Sequence, residues 1–95
     1  MAIEIARLLE EHQAEDTLAL FIGSQSDWTD YFVIATVTST GRLRGLLRHL
    51  RQFLGEHGLE PLHRQKRMEP DGWVLIDCGN IVIHLMSNEM REFYE

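Results

Sequence analysis

Ninety-five residues with 44% apolar and 25% charged side chains have the composition of one soluble globular domain, spanning residues 1–95 and enclosing a single core. No apolar run approaches the roughly 20 residues of a membrane-spanning helix, and the acidic, amphipathic start MAIEIARLLEEHQ fits neither a secretory signal nor a transit peptide. The formal charge of −6 argues against non-specific nucleic-acid binding, and the lone Cys78 excludes an internal disulfide and suits a reducing cytoplasm.

The charge is unevenly spread. Residues 1–41 carry seven acids and one base, residues 42–67 two acids and seven bases, and residues 68–95 six acids and one base. The basic strip from Arg42 to Arg51, with Arg64, Lys66 and Arg67 beyond it, reads as a solvated helix face. An acidic domain more readily meets a basic protein, because complementary fields steer encounter.

In chain order, residues 2–13 place Ile5, Leu8 and Leu9 at helical spacing with Glu4, Glu10 and Glu11 elsewhere on the wheel, which predicts an amphipathic helix. TLALFI (17–22) reads as a buried strand, GSQSDWTD (23–30) as a polar loop, and YFVIATV (31–37) as a strand rich in aromatic and β-branched residues. In RLRGLLRHLRQFLGEHG (42–58), Leu43, Leu46, Leu47, Leu50 and Leu54 form an apolar stripe, and Gly58 supplies a C-terminal stop. LEPLHRQKRM (59–68) suits an edge strand, given Pro61 and its basic residues. EPDG is a turn, two strands follow, and SNEMREFYE opens a last helix with Ser87 or Asn88 as its cap. The expected order is α-β-β-α-β-β-β-α, an α/β fold with a mixed five-stranded sheet and flanking helices.

Within DGWVLIDCGNIVIHLM (71–86), Gly79-Asn80 fits a two-residue hairpin loop. Cys78 then pairs with Ile81, Asp77 with Val82, Leu75 with His84 and Trp73 with Met86. Paired residues share a face. One face holds Val74, Ile76, Cys78, Ile81, Ile83 and Leu85, and is wholly apolar. The other holds Trp73, Leu75, Asp77, Val82, His84 and Met86. This register sets Cys78 and His84 on opposite sides, so they cannot act as a nucleophilic dyad. Asp77 and His84 share a face but lack a nucleophile, and they read as a buried histidine satisfied by a carboxylate.

Other chemistry is thin. Gly23-Ser24 could open a nucleotidyl-transfer site, but Asp27 and Asp30 lie three apart in a loop and the following strand carries no acid to help grip Mg²⁺. The five histidines show no metal-ligand spacing, and there is no GxGxxG or P-loop. No metal, cofactor or catalytic residue is expected.

TDYFVIATVTS (29–39) and GWVLIDCGNIVIHLMSNEMREFYE (72–95) together resemble the ribosomal silencing factor family, also called RsfS or Iojap-related proteins. The shared pattern is Asp-Tyr-Phe-Val-Ile-Ala-Thr, then Trp-Val-Leu-hydrophobic-Asp-x-Gly, then Val-x-Val-His, then Arg-x-Phe-Tyr. Phe21 stands where the family usually has Asp, Val37 where it has Gly, and Gln65-Lys66 where it has Glu-Gly. The resemblance implies a nucleotidyltransferase-like fold without that active site. It also implies a cytoplasmic, non-enzymatic translational repressor that binds the large ribosomal subunit through ribosomal protein fourteen and blocks joining of the small subunit. The partner-binding residues it implies are Trp73, Asp77, Cys78, Gly79 and Asn80. Trp73 would be the apolar anchor and Asp77 the charge offered to a Lys or Arg. His84 would orient Asp77 or be structural, and Met86 would support the same face. Two other readings stand beside it: a degenerate or unusual nucleotide-binding protein with a metal site on Asp27, Asp30 and Asp77, and a homodimer joined through the Trp73 face.

Overall fold

The computed structural model describes residues 1–23, 29–59 and 73–94. Three helices and four strands follow in the order α1 (Ala2–Glu11), β1 (Glu15–Phe21), β2 (Tyr31–Thr36), α2 (Thr40–Glu56), β3 (Trp73–Asp77), β4 (Ile81–Met86) and α3 (Asn88–Tyr94).

The strands form one mixed sheet in the order β1-β2-β4-β3. β1 pairs antiparallel with β2, β2 parallel with β4, and β4 antiparallel with β3. This corrects the five-stranded, nucleotidyltransferase-like sheet expected from the sequence, because four strands pair among the described residues. Most of the stretch assigned to the extra strand, residues 60–68, lies outside the described residues. Its signal in the sequence was weak for a physical reason: Pro61, Arg64, Lys66 and Arg67 interrupt any two-residue apolar alternation that a half-buried strand requires.

The apolar face of the sheet, built from Val33, Ala35, Val74, Ile76, Ile81, Ile83 and Leu85, meets the inner stripes of α1 and α2. Ile5 and Leu9 from α1, and Leu46, Leu50 and Leu54 from α2, are all 2% exposed or less. Burying each such side chain contributes about 1.5–3 kcal/mol, so this single layer of contacts carries the core.

Both long helices end in the same way. At α1, Ala14 N–H donates to Leu9 O at 2.9 Å and Gln13 N–H to Glu10 O at 3.1 Å. At α2, Leu59 N–H donates to Leu54 O at 2.8 Å and Gly58 N–H to Gly55 O at 3.2 Å. These paired bonds satisfy carbonyls the helix leaves open, and they require a left-handed residue between them. Gly58 takes that role at φ 70°, as the sequence led us to expect, whereas Gln13 takes it at φ 71°. Ser39 caps the start of α2, its Oγ accepting from Arg42 N–H at 3.2 Å.

β1 departs from expectation. The run TLALFI was read as a buried strand, yet β1 is an edge strand with Leu18, Leu20 and Phe21 40–65% exposed. Its pairing slips between Glu15 and Leu18, where Asp16 takes φ 47°. Such a bulge re-aims the side chains that follow it.

Candidate partner-binding face

The hairpin has the register expected for a Gly79-Asn80 loop. Trp73 pairs with Met86, Leu75 with His84 and Asp77 with Val82, and Cys78 N–H donates to Ile81 O at 2.9 Å. Gly79 adopts φ 90°, a left-handed conformation that a side chain would strain. Asp77 Oδ1 accepts from Gly79 N–H at 2.9 Å, so this carboxylate shapes the turn. The exposed Asn80 accepts at its carbonyl from Asp30 N–H and Tyr31 N–H, both at 3.0 Å. The hairpin tip is thereby tied to the start of β2.

Paired positions define the sheet face turned away from α1 and α2. β1 contributes Leu18 and Leu20, opposite Ile34 and Phe32 of β2. β2 sets Phe32, Ile34 and Thr36 beside Val82, His84 and Met86 of β4. β3 completes the face with Leu75, Asp77 and the register position of Trp73. Its centre is closed: Val82, His84 and Met86 are all buried. One end is held by α3, whose Arg91 donates from a guanidinium nitrogen to Thr36 Oγ1 at 3.0 Å, both residues being buried. Ser87 Oγ caps that helix by accepting from Met90 N–H at 3.3 Å. The two flanks remain accessible, with Leu18 48%, Leu20 40% and Leu75 38% exposed.

The residues singled out from sequence therefore separate. Leu75, Asp77 and Asn80 reach solvent wholly or in part, while His84 and Met86 are buried on the same face. Cys78 is half-buried and packs against the helix-side core. Its thiol is pushed above the ordinary 9.0, first by burial and then by the charge of Asp77, which keeps it protonated at neutral pH. Burial pushes His84 below its ordinary 6.5, so the ring is neutral at pH 7, and Phe32 meets it edge-on at a centroid distance of 4.7 Å. Cys78 and His84 occupy opposite faces, and no thiolate–imidazole couple forms across the sheet. Among the described residues no group of three His, Cys, Asp or Glu side chains could hold a metal ion. Asp27, part of the alternative metal site, lies outside them.

Sequence reasoning missed Leu18 and Leu20 as surface residues and Arg91 as a buried one. Glu15 and Asp16, immediately ahead of the β1 run, were the available signal that this strand lies at an edge.

A sheet closed by helices on one side and showing leucines on the other has the form of a binding surface. The family described as "Ribosomal silencing factor during starvation" matches residues 1–95, and the chain belongs to that family. Its members are non-catalytic regulators that bind the ribosome and repress translation, so this protein is a regulator and not an enzyme. The chain is 35% identical to the ribosomal silencing factor RsfS of Treponema pallidum over 95 residues, covering 99% of this chain and 84% of that protein. It is 32% identical to the mouse "Mitochondrial assembly of ribosomal large subunit protein 1" over 93 residues, covering 96% of this chain but 41% of the relative. Solved structures agree in fold. A Chromobacterium violaceum protein superposes with a TM-score of 0.81 at 24% identity over 99% of this chain and 81% of that one. A Bacillus halodurans protein gives 0.78 at 28% identity over 97% and 86%. Among the described residues no helix is long and apolar enough to cross a membrane.

Proposed function

We propose that this protein acts in the cytoplasm by docking its open sheet face on the large ribosomal subunit, against ribosomal protein fourteen, and so blocks joining of the small subunit. The observation that carries the reading is the exposure of Leu18, Leu20 and Leu75 on one face of a domain whose other face is filled by helices. Apolar surface offered beside a carboxylate suits a basic protein partner, with the aromatic Trp73 as anchor and Asp77 and Asn80 at the rim. Gly79 and Cys78 fix the turn that presents them, and His84 and Met86 lie buried on the same face. Repression of this kind is steric and needs no reacting group.

Co-sedimentation of the purified protein with separated ribosomal subunits tests the proposal. Retention on the large subunit alone, together with inhibition of 70S formation from added small subunits, is the expected outcome. Retention on neither subunit, or on the small one, would sink it.

A further inference from the structure

α2 breaks local helix rules on one side only. Its inner stripe is ordinary, but Arg44, Arg48 and Arg51 stand at i, i+4 and i+7 on one exposed row, with the exposed Arg42 on the opposite flank of the outer side. Neighbours three and four apart on a helix interact, and a solvated face usually interleaves acids with bases. Here Arg44 and Arg48 are like-charge neighbours, and neither has an acid of the helix three or four positions away. The first turn carries no acid. Arg42 and Arg44 instead sit at the end where the helix dipole disfavours cations.

The glycines agree. A Cβ added at Gly41, Gly45 or Gly55 would meet nothing within 4 Å, and none of the three adopts a positive φ. Alanine would therefore fit and would favour the helix. Among the described residues, neither packing nor backbone conformation calls for glycine there. Local conflicts gathered on one surface mark a functional site rather than a folding requirement.

We infer that the outer face of α2 is a second contact surface, on which Arg44 and Arg48 bind the phosphate backbone of ribosomal RNA. The inference rests on the large-subunit reading, which brings RNA within reach of the domain. The cations are all arginine, whose planar guanidinium matches phosphate with two parallel hydrogen bonds. Residues 1–41 and 68–95 are acidic, so RNA would be repelled there and the basic segment 42–67, which contains α2, would set the orientation of approach. The absence of side chains at Gly41 and Gly45 leaves the helix low beside the row, which lets a bulky backbone come close. Contact with phosphate alone carries no sequence information, and a chain of net charge −6 would make it only where its protein partner already holds it beside RNA.

The test compares wild type with an Arg44→Gln/Arg48→Gln variant in binding to purified large subunits across a salt series. Removing two phosphate contacts should lower the slope of log affinity against log salt by about 1.5. It should also weaken binding roughly tenfold at low salt, with an unchanged melting temperature and circular dichroism spectrum. Hydroxyl-radical footprinting should show a protected stretch of ribosomal RNA backbone with wild type that the variant loses. A Gly45→Gln variant should melt higher yet bind less tightly, an opposition that a purely structural role of the face would not produce. An unchanged slope and footprint in the arginine variant would overturn the inference while leaving large-subunit binding intact. A weakened variant with no RNA footprint in either protein would also overturn it and assign the row to an acidic protein. Failure of wild type itself to bind the large subunit would overturn both readings together.

Discussion

Burying an imidazole in an apolar sheet face makes folding sensitive to acid, and His84 is such a group. The unfolded chain offers it water and the ordinary 6.5, whereas the folded chain holds it lower by desolvation. Above about pH 6.5 the ring is neutral in both states and its contribution is complete. As pH falls through that value the unfolded state takes up the proton first, and stability declines until the folded pKa is passed. The urea midpoint should therefore drop between pH 7.5 and pH 5.5, and the drop should shrink in His84→Gln. An equal drop in the two proteins would remove His84 as the cause. The same residue shows how far the sequence could be read. Register from the Gly79-Asn80 turn placed His84 opposite Leu75 and away from Cys78, as observed. Burial could not be read that way, because it depends on neighbours brought up by tertiary packing, such as Phe32 of β2, whose ring meets the imidazole edge-on.

At the scale of the element, α1 and α2 end in the same backbone motif with different residues, which makes an internal comparison. Left-handed conformation costs a side-chain-bearing residue roughly 1–2 kcal/mol relative to glycine, offset in part by the greater freedom glycine has when unfolded. Gln13→Gly should accordingly stabilise the protein by about 1 kcal/mol, and Gly58→Ala should destabilise it by about as much, both measured by urea denaturation. If Gln13→Gly lowered stability, a side-chain contribution of Gln13 would have to exceed the backbone strain. Gly58 was legible as a stop because glycine after an apolar helical stripe is a strong signal. The end of α1 was less so, and the expected helix over residues 2–13 ran past the observed Glu11 because glutamine announces nothing. β1 failed differently. An uninterrupted apolar run is read as buried on both faces, but the run sits at the sheet edge, where among the described residues it pairs with β2 alone. Strand order of this kind is set by long-range packing, and Glu15-Asp16 ahead of the run is a weak local trace of it.

For the whole molecule, the sheet separates two surfaces of opposite chemistry: leucines with the Asp77 carboxylate at their rim on one side, and the arginine row of α2 on the other. Contacts made by surfaces that share no partner group should contribute independently to binding, adding within about 0.3–0.5 kcal/mol. Leu75→Asp places a charge on the open face at a residue exposed enough to tolerate it. It should weaken large-subunit binding tenfold or more, about 1.4 kcal/mol. Because it neutralises no phosphate contact, the salt slope should stay as in wild type. Arg44→Gln/Arg48→Gln should change the slope as well as the affinity. In the triple variant the two losses should multiply, and the slope should be that of the arginine variant alone. Full affinity in Leu75→Asp would exclude the open face as the docking surface. A triple variant no weaker than either parent would mean that the two surfaces do not engage the subunit in one bound state, and that each belongs to a separate encounter.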